Sequence, residues 1–530
     1  MKVMPLISPG VSKFWNLLEI RILVLLSLAI QTILTLTGRK RKNSASDMLS
    51  ILVWATYMVA DWAVTVSLSV LSNHARSSCD HSLDSYIVIT LFWAPYLLLH
   101  LGGPDTITAY SLEDNELWRR HLLTLVSQVV VAAYVLLKAW TNTPLNILAI
   151  PVFLSGVVKR GQRVWVLWSA SSEKFREYML CPPDPGPNYA RYMEEYSTKK
   201  DEGFEVSLEK LIRFPIEVEN SYTEPVNNPL DNLEILQYAY GFFETFKLLF
   251  ADLILSFHDI EKSQSFFMKI SSQDAFEVIE VELGFIYDVF YTKAVLVYSF
   301  VGGFFRLSSL CCLTLRCVFF FIIEKHEYSR ENVVFTYVLV AGAIILELYA
   351  AILLLCSDWM MLSLKKHSLL YQAMSSLPFT RSKRWSNTMA QHNLISTCLK
   401  YKPANCRFLT KVLCIDALLE KHRYKYSKKV PTKLKKVIFD QLTNKSRSVS
   451  DIKECKKFCD DRGYEVLEGA ISSVGISDGD RETIKESVDK LKLTQGGELL
   501  THAWLLMAHL GITEQFQISQ GHERAKLNVE

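Results

Sequence analysis

From Val333 to Cys356 the chain reads VVFTYVLVAGAIILELYAAILLLC, an apolar run broken by one carboxylate, Glu347. About 20 apolar residues let a helix cross the hydrocarbon core of a bilayer. Lipid offers no partner to a free backbone amide, so such a run must be helical where it crosses. Six further stretches approach that length: Leu17 to Leu36, Met48 to Leu71, Tyr86 to Leu101, Arg120 to Trp140, Leu145 to Val158 and Phe304 to Ile323, the third and fifth being short. The expected fold is an all-α polytopic membrane helix bundle of about seven spans. Composition agrees, since half of the 530 residues are hydrophobic and mean hydropathy is positive, which is unusual in a soluble chain of this size. The first run lacks an Ala-x-Ala exit and is followed by Arg39, Lys40, Arg41 and Lys42. It therefore reads as a retained anchor.

Cytosolic connectors carry the excess of Lys and Arg. With 39–42 placed inside, alternation puts 72–85 outside, 101–121 inside, TNTPLN at 141–146 outside and the segment opening KRGQR at 159 inside. The last two spans return the chain to the inside at Lys365, Lys366 and His367. Four regions follow: 1–158 with about five spans, a large cytosolic loop 159–303, two spans within 304–363, and a helical cytosolic C-terminal domain 364–530. The C-terminus is expected in the cytosol, whether the membrane is the plasma membrane or an endomembrane. The sequon Asn444-Lys445-Ser446 then stays unglycosylated. In the loop, CPPDPGP at 181–187 is too rich in proline for helix. The stretch 236–257, with Glu244, Lys247 and Asp252, reads as an interfacial amphipathic helix on the inner leaflet. Eleven scattered cysteines, with Cys311, Cys312 and Cys317 inside one apolar run, read as reduced or lipid-buried thiols.

The connector LGGPDTITAYSLEDNELWRRH, 101–121, is punctuated at both ends. Gly102 and Gly103 can take the left-handed conformation that closes a helix, and Pro104 cannot extend it. Ser111 stands three before Asp114, a capping-box spacing, and Glu113, Asp114 and Glu116 suit the positive end of the next helix. Arg119, Arg120 and His121 mark the headgroup level. Asp105, Thr106, Thr108 and Tyr110 remain. Two readings stand: an ordered, hydrogen-bonded loop, or a site for a cation or polar headgroup drawing on Asp105, Thr106, Tyr110, Glu113 and Asp114. The spacing matches no calcium loop.

Together with CPPDPGPNYARYMEEY at 181, SDW at 357 and GGELLTHAWLLMAHLGITEQFQ at 496, this stretch resembles plant membrane proteins that pair domain of unknown function 4220 with a C-terminal domain of unknown function 594. The resemblance touches nearly the whole chain. It implies a land-plant, multipass membrane protein from a family of unestablished activity, and it supplies no catalytic residues.

Asp61 and Glu347 fall at the middle of the second and seventh runs, where an ionised group costs roughly 2.5 to 3.5 kcal/mol. Arg306 and Arg316 in the sixth offer the opposite charge. Either the four pair off as structural glue, or Asp61 and Glu347 line a proton or ion pathway. Direct acid–arginine contacts in a dry interior favour the first reading, and a water-accessible cavity lined by both acids favours the second.

Net charge of +3 argues for no polyanionic partner. Locally, 421–447 carries ten Lys or Arg against one Asp. Near a membrane such a block is drawn to anionic lipid, with Lys428, Lys429, Lys433, Lys435 and Lys436 as candidates. Nucleic acid is not expected. In 498–511, Leu499, Ala503, Leu506, Met507 and Leu510 share one helical side, Leu500 and Trp504 edge it, and Glu498, His502 and His509 lie opposite. His509 is two turns beyond His502, about 10 Å, too far to share an ion, so the helix reads as a packing element. Cys455 and Cys459 lack a second pair at zinc-finger spacing. GxSxG, GxxxxGK, GxGxxG and HExxH are absent, and HEYSRE at 326 lacks the second histidine of the last. No catalytic role, metal or cofactor is therefore expected. The favoured function is a non-enzymatic membrane scaffold or signalling adaptor that recruits cytosolic proteins. The alternative is a proton- or ion-coupled transporter or channel working through Asp61 and Glu347.

Overall fold

The computed structural model describes residues 9–44, 46–77, 93–138, 144–179, 229–251, 257–322, 329–364, 384–392, 425–448 and 497–511. The proline-rich segment 181–187, Cys455 and Cys459, the basic flank 365–367 and the start of the third expected span lie outside these residues. The chain divides into two compact units: 1–182, 204–218 and 284–383 form one, and 183–203, 219–283 and 384–530 the other.

The first unit is an all-α membrane helix bundle. Five helices are long and apolar enough to cross a bilayer: Glu19–Lys42, Met48–Asn73, Trp118–Lys138, Phe300–Ile322 and Arg330–Leu355. Between 17 and 39% of each apolar window is buried by protein, so most of each span is left for lipid. Phe304, Leu307, Phe321 and Ile322 are accordingly exposed. The inward stripes, among them Val24, Leu68, Ala132, Leu313 and Leu339, close a shared core.

The two short runs resolve differently from the long ones. Helix Ala94–Leu101 has eight residues, all buried. It packs so closely on helix Pro144–Ser169 that a Cβ at Gly156 would lie 2.9 Å from the Leu98 Cβ and 3.0 Å from the Leu99 nitrogen. Small residues allow this backbone approach between helices in lipid. Helix Pro144–Ser169 does not end at Val158, where the fifth run was expected to give way to a cytosolic loop. It continues because Arg160 and Arg163 are buried and both reach Asp61. Residues 159–182 and 284–303 accordingly cluster with the spans.

The second unit is built around helix Asn232–Phe246, started by a capping box in which Asp231 and Glu234 bond each other's backbone amides. Leu233, Ile235, Leu236, Ala239, Tyr240, Phe242, Phe243 and Phe246 are all buried there. An inner-leaflet helix needs an apolar face turned to lipid, whereas these side chains are buried in protein; Asp252, in the same expected stretch 236–257, lies outside the described residues. Helix Phe257–Phe267, helix Ser272–Tyr291 up to residue 283, helix Thr432–Ser448 and helix Gly497–His509 complete the unit. The basic segment is not wholly helical. Thr388–His392 pairs antiparallel with Lys425–Lys429, Thr388 opposite Lys429. The alternation of Lys, Tyr and Ser over 425–429 suits a strand better than a helix.

Candidate functional site

The 101–115 connector is an interior element. Gly103 takes φ +67°, the left-handed stop expected after the third run, while Gly102 remains right-handed. A Cβ on Gly102 would lie 2.5 Å from the Lys159 Cγ, so here glycine admits a neighbour's side chain. Residues 101–104 and 107–109 are buried without regular hydrogen bonding, and their carbonyls need donors. Cations supply most of them. Arg160 donates to the Leu101 carbonyl at 3.1 Å and Lys293 to that of Gly102 at 2.7 Å. Arg163 (3.4 Å) and the Tyr57 hydroxyl (3.3 Å) donate to Thr108. Arg41 donates to Tyr110 at 2.7 Å and stacks 4.1 Å over its ring. The backbone of Thr108 donates to the Tyr291 carbonyl at 2.8 Å, and that of Lys293 to the Asp105 carbonyl at 3.0 Å. Arg41, read from sequence as an orientation signal, thus also clamps this loop.

The candidates within the loop divide. Asp114 accepts the amides of Tyr110 and Ser111 at 2.8 and 3.1 Å, which is one half of the expected capping box. The other half is missing, because the Ser111 hydroxyl donates to Glu113 at 2.9 Å and the Asp114 amide turns to the Ser111 carbonyl. Thr106 packs on the first span, where a Cβ on Gly38 would meet its Oγ1 at 2.6 Å. His121, placed by sequence at the headgroup level, is buried, whereas Arg119 and Arg120 are exposed.

Asp105 opens a charged cluster. It contacts Arg306, and Lys293 at 3.7 Å. Arg306 also reaches Glu347 at 3.4 Å, and Glu347 contacts Lys159. Asp61 is held by Arg160 at 3.3 Å and Arg163 at 3.4 Å. Burial alone would raise the Asp105 carboxyl, but Arg306 and Lys293 hold it down at about 2. Burial brings Lys293 down to about 7 against the pull of Asp105. The two ends differ because Asp105 has Arg306 in closer contact, while completely buried Lys293 has only a distant carboxylate. Of the four intramembrane charges singled out from sequence, Glu347 and Arg306 meet. Arg316 instead lies 4.4 Å over the Tyr96 ring. Lys159, Arg160, Arg163 and Lys293 were passed over as a cytosolic flank. The signal for three of them is their spacing of three and four, which puts Lys159, Arg160 and Arg163 on one side of a continuing helix.

A cavity of about 290 Å³ opens beside this cluster. Asp105, Lys159, Arg306 and Glu347 form its polar wall, with Ser155, Gln162, Ser308 and Ser309, and Leu154, Val158 and Phe305 form its apolar wall. Asp61 is not part of its lining.

In the second unit, Lys428, Lys429, Lys433 and Lys436 are exposed. Lys435 is not free in the same way: it pairs with Glu280 at 3.0 Å and lies 4.9 Å over the Trp385 ring. The C-terminal helix buries Leu499, Leu506 and Leu510 of its expected apolar side. His502 and His509, expected on the opposite side, are buried as well, because His509 has polar partners inside. Its Nδ1 is 2.7 Å from the Ser263 hydroxyl and its Nε2 2.7 Å from Glu282, and the rings of Phe246 and Phe267 pack on it at 3.8 and 4.5 Å. Burial pushes the Glu282 carboxyl up and His509 draws it back. A Ser–His–acid chain suggests nucleophilic catalysis, but Ser263, His509 and Glu282 all have zero exposure. No substrate reaches that hydroxyl, so the chain is a packing device. Among the described residues no cluster of three metal-ligating side chains occurs.

Residues 54–398 match the family model described as Domain of unknown function (DUF4220), and residues 484–512 match Protein of unknown function, DUF594. The second match contains the helix that carries His509. Neither a curated protein nor a solved structure matches the chain.

Proposed function

We propose, for a chain that belongs to the DUF4220 family, that it works as a non-enzymatic membrane scaffold or signalling adaptor. Its spans form a multipass anchor, with Arg39 to Lys42 and the C-terminal unit facing the cytosol. The second unit recruits soluble proteins, and Lys428, Lys429, Lys433 and Lys436 add attraction to anionic lipid. One observation carries the reading: each intramembrane acid is held by two cations, Asp61 by Arg160 and Arg163, Glu347 by Lys159 and Arg306. Carboxylates held this way serve as fasteners between helices. Taking up and releasing a proton or ion would strand Arg160 and Arg163 at Asp61, and Lys159 at Glu347.

A second reading, ion-coupled passage through Asp61 and Glu347, has the cavity beside Glu347 in its favour. The full chain reconstituted into sealed vesicles decides between them. A scaffold leaves imposed proton and sodium gradients decaying at the rate of empty vesicles, in wild type and Glu347→Gln alike. A leak above that rate, abolished by Glu347→Gln in protein that inserts normally, overturns the scaffold reading.

A further inference from the structure

The cavity pairs a polar wall that carries cations and unmatched donors with more apolar wall than an inorganic ion needs. Lys159 and Arg306 bring two positive charges to that wall, beside the carboxylates Asp105 and Glu347. Among the described residues, two polar atoms that line it have no hydrogen-bond partner: the Arg306 Nε and the Ser309 hydroxyl, both shielded from solvent. A buried donor left unmatched is costly, and anion acceptors are what such donors lack. Across from them Leu154 and Phe305 line the cavity and are also among the exposed apolar residues of the bundle, so it reaches the lipid-facing side.

We propose that this cavity binds the acidic headgroup of a membrane lipid, with the phosphate against Arg306, Lys159 and Ser309 and an acyl chain along Leu154 and Phe305. The phosphate oxygens satisfy the Arg306 Nε and Ser309 hydroxyl. The chain leaves between helix Pro144–Ser169 and helix Phe300–Ile322, which both contribute to the wall. A free phosphate would answer the donors equally well but would leave the apolar wall without a partner, which is why a lipid is the better occupant.

The test uses the full chain in detergent, with dioleoyl phosphatidate, dioleoyl phosphatidylcholine and inorganic phosphate as probes, read by native mass spectrometry and thermal stability. One phosphatidate should be retained per chain in preference to phosphatidylcholine. Ser309→Ala, which breaks no ion pair, should weaken retention about tenfold through loss of one charge-assisted hydrogen bond. Ser155→Phe, which fills the cavity, should abolish it while the protein's thermal transition without lipid stays in place. Equal retention of the two lipids overturns the proposal. So does retention unchanged in both variants, or protection by inorganic phosphate with none by phosphatidate.

Discussion

The two units bury opposite things. In the membrane unit the outside is apolar and the interior around the 101–115 loop holds Asp105, Arg160, Arg163, Lys293 and Glu347. In the second unit the inside is aromatic and aliphatic, and Val437 is the one large hydrophobic exposed among the described residues. Each nevertheless buries a histidine or carboxylate contact, and comparison shows what the buried charge is for. In the second unit the buried polar contacts stay between side chains, His509 meeting Glu282 and Ser263. In the membrane unit the cations satisfy acids and also the main chain, since Arg160 and Lys293 each hold a loop carbonyl.

The sharpest way to break this contrast is paired replacement. His509→Leu alone strands the buried Glu282 carboxyl and should cost about 3 to 5 kcal/mol, and Arg160→Leu, which leaves Asp61 to Arg163 but the Leu101 carbonyl without its donor, about 1 to 3 kcal/mol, both read as loss of thermal stability in detergent. Replacing both partners separates the units. Glu282→Leu with His509→Leu should recover most of that loss, because apolar pairs substitute well for buried ion pairs. Asp61→Leu with Arg160→Leu should not recover, because the Leu101 carbonyl still lacks its donor. Recovery in both would mean that the carbonyl contacts carry no weight.

Smaller effects sharpen the inside-out pattern. A lysine for exposed Leu315, in the helix Phe300–Ile322, should cost roughly 2.5 to 3.5 kcal/mol in bilayer insertion. Acid offers a third handle. The Asp105 carboxyl sits at about 2 in the folded chain against about 3.9 unfolded. Its contribution, about 2 kcal/mol, is present above pH ~4 and is lost as pH falls toward 2. An acid titration of thermal stability should show this component, and Asp105→Asn should lack it. The smallest change is Val437→Lys, expected within about 0.5 kcal/mol of wild type by chemical denaturation, although the same exchange is prohibitive at Leu315.

The long apolar runs and the left-handed stop at Gly103 were legible in the sequence, because length and glycine each limit the chain locally. The intramembrane charges stood out there as a set, without showing which acid meets which cation. The partners of Asp61 were not legible. A Lys-Arg-Gly-Gln-Arg string reads the same whether it meets water or folds against a neighbouring helix, and only the continuation of Pro144–Ser169 tells them apart. Likewise the period of the C-terminal helix marked Leu499, Leu506 and Leu510 for burial but did not reveal that the histidine side is buried as well. What buries that side, Ser263 and Glu282, lies more than two hundred residues away in the chain.

Because the carbonyls of Leu101, Gly102, Thr108 and Tyr110 are met by Arg160 and Arg163 of one helix, by Lys293 and by Arg41 of the first span, this connector has no slack. Most loops absorb an inserted or deleted residue at their tips. Here one such change would slip every later carbonyl past its donor, as a key cut one notch short slips past its pins. Length variation among related chains should therefore collect elsewhere, and an epitope or fused domain placed between Gly102 and Asp114 should prevent assembly of the bundle.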